Sequence, residues 1–326
     1  MTYRMTPLRT CGYVVVLLLL VLTGAYGCTT RMPPQVAPAS SRAFSGIEIV
    51  GELKAFAESI GGEPTENFLS YSPRIVADER CYFTGKLQLP EYYSHLRLVR
   101  ETESRCTSRS GEFDVFFYPV QAVASGEETI TVSLAEAPTE RLLVVVPHED
   151  FHNQSAARKA PTEVAESAAT LVGFLTASVF AREKFGEDST TSQLLARDVD
   201  LFLRKSHLVN AYYDKVSDLY RSYRDGALTQ EQTLMKKSEL FAELQQSCSA
   251  IVPDPVSFNK CPAAMNNAGL AFDRTYTRHY PLMHELYTSL GSDASALVLT
   301  LKRLMTKWPS SVAGVADLMK EDRETP

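Results

Sequence analysis

Five consecutive residues near the middle of the chain, His148-Glu149-Asp150-Phe151-His152, have types and spacing that could do chemistry. Histidines four apart on a helix leave it from one face, because 3.6 residues per turn bring position i+4 nearly above position i. Two such imidazoles could hold one zinc ion at about 2.0–2.1 Å. Glu149 follows the first histidine directly, a place from which a carboxylate reaches water at the metal without ligating it, and so serves as general base. The bland reading of the same five residues is a surface helix with a charged face and Phe151 packed inward. Zinc needs a third ligand, and the next helical stretch opens at Pro161, suited to a first helical turn, and carries Glu163 and Glu166. Either could complete a His2Glu set with an open fourth position. Either could also be a first-turn acid that complements the helix macrodipole.

A site of this kind needs two helices held at a fixed distance and a frame behind them. The stretch from Ile47 to Ser59 has apolar residues at helical spacing and predicts a first helix, ended by Gly61-Gly62. Strands are expected between Arg100 and Val146, where "FDVFFYPVQAV" and "TITVSL" are rich in β-branched and aromatic residues and a turn falls near Gly126. Proline disfavours helical geometry at the residue before it, so Pro147 predicts an extended "LLVVV" leading into a helix that begins at Pro147 itself. Beyond Pro161 the period is helical. Breaks at Gly186, Asp225-Gly226, "VPDP" and Gly291 divide it into helices near 161–184, 193–224, 229–247, 264–290 and 293–307. The expected fold class is α+β, predominantly helical, with a small sheet preceding the histidine helix.

The chain has 326 residues, 44% of them apolar, with a net charge of -6. No basic field exists to gather nucleic acid, and no Gly-rich phosphate loop or GxSxG elbow occurs. Arg4 and Arg9 precede a short apolar run, Tyr13 to Leu22, in the layout of a secretory leader over residues 1–27. "AYGC" resembles a lipobox, with Cys28 as the lipidation site, although Ala25 stands where leucine is usual; ordinary signal peptidase also suits it. The expected product is exported and periplasmic, an outer-membrane lipoprotein touching the membrane only through its lipid. A Pro- and Ser-rich tether over 28–45, one domain over 46–315 and a solvated tail over 316–326 complete the expected organisation. In an oxidising compartment the sequence-local pairings Cys81–Cys106 and Cys248–Cys261 are the simplest, each contributing about 3 kcal/mol through loop closure.

Several strings resemble the bacterial putative aminopeptidase family, exported HExxH proteins of gluzincin type. "AESAATLVG" (Ala165 to Gly173) is similar to the family's segment around its third ligand and nominates Glu166 over Glu163. "MNNAGLAFDRTY" from Met265 resembles a later helix of the family, and "LQLPEYYSHLRL" and "FFYPVQA" resemble two upstream segments in the same order. The chain departs from the family at Asp150 and Phe151, at Ala165, at Pro147 and near Ala122. The resemblance implies a zincin-like fold and a zinc peptidase, in particular an aminopeptidase. His148, His152 and Glu166 would hold Zn2+, Glu149 would be the general base, and Tyr276 would donate to the oxyanion of a peptide substrate. Asn266 and Asn267 could hydrogen-bond the substrate backbone or cap their own helix. Asp150 and Glu163 are candidate anchors for a substrate amine; His279 and Tyr280 could polarise a carbonyl or belong to the core. His284-Glu285 lacks a second histidine at Thr288. The competing expectation is an envelope lipoprotein of the same fold, with a structural or lost metal site, working by partner binding.

Overall fold

In the computed structural model, residues 39–123, 126–259 and 261–307 are described, with the side chains of 39–46 left aside. The leader, Cys28 and the tail over 316–326 lie outside the described residues. Helix α1 (Ala39–Ser59) begins before Ile47 and turns Val50, Leu53 and the stem of Lys54 inward. Three antiparallel strands follow, β1 (Asp78–Gly85), β2 (Arg97–Val99) and β3 (Phe113–Val120), in the order β2-β1-β3, with Tyr82 opposite both Leu98 and Phe116. β3 is the expected "FDVFFYPV" strand. β1 and β2 lie upstream of the expected strand region, because the charged start "DER" hides the alternation of β1. One face of the sheet packs Cys81 and Phe83 against Cys106, which the Cys81–Cys106 disulfide brings in from α2 (Glu103–Ser108). The other face turns Tyr82, Phe116 and Tyr118 toward Phe272.

Two of the expected β segments fold otherwise. In "TITVSL" only Ile130 makes a bridge, to Tyr71; Thr131 Oγ1 then accepts from the Leu134 amide and starts a single helical turn, α3 (Val132–Ala135). "LLVVV" is not extended. It lies inside α4 (Thr139–His152), which runs through Pro147. Proline has no N–H for the Leu143 carbonyl, but Leu142, Leu143, Val144, Val146 and Pro147 are all buried, and that packing outweighs the local preference.

Helix α5 (Thr162–Phe185) is the centre of the core, buried without interruption from Val164 to Ala177. It is long and apolar enough to cross a bilayer, yet 89% of its apolar window is buried by its neighbours, as expected of a helix hydrophobic all round. It ends at Gly186, φ 90°, a conformation open to glycine at no side-chain cost. Helices α6 (Thr190–Arg224) and α7 (Gln230–Cys248) form the next layer, each starting on a side-chain cap, Ser189 and Thr229. The Cys248–Cys261 disulfide closes the loop after α7. The expected helix over 264–290 is two helices, α8 (Asn267–Thr277) and α9 (Tyr280–Ser289), parted where Pro281 enters. Asn210 Nδ2 donates to the Thr277 and Arg278 carbonyls at the break, at 2.9 and 3.4 Å. Helix α10 (Ala294–Met305), capped by Asp293, packs on α5. The protein is α+β and mostly helical, and the described residues belong to one compact unit.

Candidate metal centre

His148, Glu149 and His152 come from the last turns of α4, and Glu166 from the second turn of α5 across an antiparallel helix pair. Nε2 of His148 lies 3.2 Å from Nε2 of His152; Glu166 Oε2 lies 3.3 Å from the first and 3.1 Å from the second. A tetrahedral zinc site with bonds of about 2.0–2.1 Å has edges of about 3.3–3.4 Å. The three atoms are thus spaced as three corners of such a tetrahedron, and this ligand set could hold the ion. Glu163, half-buried, does not line the cavity next to them.

The Glu166 carboxylate is itself held from behind. Tyr93 donates its hydroxyl to Glu166 Oε1 at 2.9 Å, so one carboxylate oxygen is fixed while the other faces the histidines. The Tyr93 amide donates to Thr275 Oγ1 on α8 at 2.8 Å, which locks the tyrosine in place. Burial opposes charge on Glu166, but His152 and His148 outweigh it and hold the carboxyl well below the usual range. His152 answers in kind: burial works against its protonation, the Glu166 carboxylate overrides it, and the imidazole is pushed up to about 9. Glu149 behaves differently. Burial pushes its carboxyl up, against the pull of the two histidines, as suits a group that must accept a proton near neutrality.

These groups line a cavity of about 440 Å³, within the size range of small-molecule sites. Tyr276 of α8 lines it too, with its ring 6.2 Å from those of His148 and Tyr93. Among the described residues its hydroxyl makes no hydrogen bond, and burial pushes its pKa well above 10, so it is a neutral donor. Gln121, Ala122 and Val123, the segment after β3, form the wall beside α4.

Other candidate residues are placed elsewhere. Asn266 caps α8 by accepting from the Gly269 amide at 3.0 Å and donates to the Val115 carbonyl at 2.8 Å. Asn267 is fully buried and donates to the Gln88 carbonyl and Tyr220 hydroxyl at 2.9 and 2.8 Å. Neither asparagine lines the cavity, so the fold uses them as joints and the substrate reading is not carried forward. Asp150 leaves α4 two residues after His148, on the far side, and meets Lys54 Nζ at 2.8 Å and Thr65 Oγ1 at 2.6 Å. It is no anchor for an amine in this cavity. His279 and Tyr280 are buried away from it as well. Apart from its place in the string "LPEYYSHL", nothing in the sequence marks Tyr93, and nothing marks Arg141, which lines the cavity seven residues before His148 on the same face of α4.

A mostly helical α+β protein with two imidazoles and two carboxylates converging in one cavity is the class that fold and site define. The family model described as "Putative aminopeptidase" matches residues 99–318, and the chain belongs to that family. The match begins just after "LQLPEYYSHLRL", so that string and Tyr93 lie outside it. No curated protein and no solved structure matches the chain.

Proposed function

We propose that the protein is a zinc-dependent peptidase of the zincin-like, gluzincin type, in which His148, His152 and Glu166 hold the metal. The spacing of the three ligand atoms at 3.1–3.3 Å carries this reading, and the family description supports peptidase action on amino-terminal residues. Zinc in such a set supplies Lewis acidity toward water and a peptide carbonyl. Glu149, raised in basicity by its burial, accepts the proton of the attacking water and delivers it to the leaving amine. Tyr276 lines the same cavity with a hydroxyl that has no hydrogen-bond partner among the described residues, and it donates to the carbonyl oxygen as negative charge develops. Tyr93 holds Glu166 in its ligating rotamer. Metal analysis of the purified chain together with Glu149→Gln tests the reading. One zinc per chain is expected in both proteins, with peptide hydrolysis abolished by chelator and reduced by roughly 100-fold or more in the variant. A chain without stoichiometric zinc, or a fully active Glu149→Gln, would leave the non-catalytic, partner-binding reading in possession.

Export belongs to the same proposal. It is supported by the leader-like segment before Cys28 and by two disulfides, which suit an oxidising compartment. Radiolabelled palmitate should enter the wild-type chain and not Cys28→Ala; equal labelling removes the lipid anchor from the proposal.

A further inference from the structure

The cavity beside the candidate metal centre is lined by four cations as well as by its carboxylates; two of the four are paired with carboxylates and a third is exposed. Arg80 meets Asp78 at 2.8 Å, Lys205 meets Asp273 at 2.8 Å, and Arg158 is exposed and donates to Asn153 Oδ1 at 3.1 Å. Arg141 is different. Its Nε donates to Gln121 Oε1 at 3.0 Å, one terminal nitrogen to the Ser257 carbonyl at 3.0 Å and the other to the Tyr118 hydroxyl at 2.9 Å. All three acceptors are neutral, and no carboxylate among the described residues pairs with this guanidinium. Of its five N–H groups, one remains free on each terminal nitrogen, which leaves donors for the two oxygens of a carboxylate.

Position makes this fork relevant to the metal centre. Arg141, Val144, Val145 and His148 line the same cavity and fall on one face of α4. Seven residues of helix separate Arg141 from His148, about 10 Å at 1.5 Å per residue. An extended peptide covers about 3.3–3.6 Å per residue, so about three residues bridge the interval. Three neutral hydrogen bonds fix the guanidinium before any ligand arrives, which reduces the ordering a ligand must impose.

We propose that Arg141 seats a substrate carboxylate about three residues from the cleaved bond, and so selects short peptides by their free C-terminus or peptides with an acidic side chain at that distance. The inference rests on the peptidase reading but is decided by a separate measurement. Calorimetry on the zinc-loaded full-length Glu149→Gln chain compares N-free alanine di-, tri- and tetrapeptides as acids and as C-terminal amides, with a further amide that carries aspartate at the third position. Binding tighter by roughly tenfold or more is expected for the free acid of one length, as a charge-assisted hydrogen-bond pair implies. The aspartate amide shares that gain only if an acidic side chain is the source. Adding Arg141→Gln should bring the favoured acid down to the level of its amide, with melting curves confirming the fold. Equal binding of acids and amides by the Glu149→Gln chain overturns the inference without any Arg141 variant. Hydrolysis of the same peptides by the zinc-loaded wild-type chain is scored separately: failure to cleave any of them counts against the peptidase reading, whatever the binding shows.

Discussion

Gly173 lies directly against His148. A methyl group on Gly173 would sit 3.1 Å from the His148 Cβ and 2.7 Å from the carbonyl oxygen of Val144. Seven residues earlier α5 carries Glu166, so one helix supplies both the third proposed ligand and a close contact with His148, the first proposed ligand. Alanine in an exposed helix normally stabilises by about 1 kcal/mol over glycine. Here the sign should reverse. Gly173→Ala must part α4 from α5 by several tenths of an ångström, with an expected loss of about 1–3 kcal/mol in urea unfolding. Zinc affinity, measured by competition with a chromophoric chelator, should fall at the same time. A variant more stable than wild type with unchanged affinity would show that the spacing is not set at this contact.

The Tyr93 hydroxyl tests how much the ligand depends on its support. Tyr93→Phe keeps the ring in its stack with Tyr276 and against Phe272 and removes the hydrogen bond to Glu166 Oε1. Outer partners of metal ligands are typically worth 10- to 100-fold in affinity. A loss of zinc affinity in that range is expected, with thermal stability of the metal-free protein changed little. Unchanged affinity would mean that the α5 backbone alone orients Glu166.

On the other side of α4, Asp150 and Lys54 form a buried pair at 2.8 Å, with side chains 11% and 8% exposed. Asp150 also accepts from Thr65 and Asn67, so the pair clamps α1 and the segment after it onto the back of the histidine helix. Lys54→Met strands a buried carboxylate, for an expected cost of about 3–5 kcal/mol. Lys54→Met combined with Asp150→Asn should recover most of that, because a neutral amide still offers an acceptor to Thr65 and Asn67. Two single variants and the double in one denaturant series check it; a double as unstable as Lys54→Met shows that charge is not the source of the cost.

That pair also shows what the sequence could and could not disclose. His148, His152 and Glu166 were legible because helical period alone puts the histidines on one face, and the string around Glu166 singled it out from Glu163. Asp150, a departure from the resembling family, looked like a change within the site. Two residues round a helix is about 200°, however, and its partner lies 96 residues earlier. Tyr93 and Glu166 are 73 residues apart, and no periodicity links them. Pro147 misled in the opposite direction: its local bias toward an extended approach was real, but burial of α4 against α5 decided the outcome. The helix breaks at Gly186 and Gly291 were visible as residue types, whereas the break before Pro281 was masked by apolar spacing that runs on through both helices.

His279 provides a test by pH. It stands at the break between α8 and α9, 4% exposed, and burial, with Arg278 and Arg274 adding repulsion, lowers its pKa from 6.5 to about 4. Between those two values the unfolded chain binds a proton that the folded chain refuses, so stability rises with pH across the window and is lost on acidification from about 6.5 toward 4. The share from this one residue is on the order of 3 kcal/mol over the full window. His279→Gln removes the titration while keeping a polar side chain. Urea unfolding at pH 7, 5.5 and 4.5 should therefore show a shallower acid loss for the variant than for wild type, with the two curves diverging below pH 6.5. Parallel curves would mean that His279 is charged in the folded protein, and that its neighbours accommodate the charge.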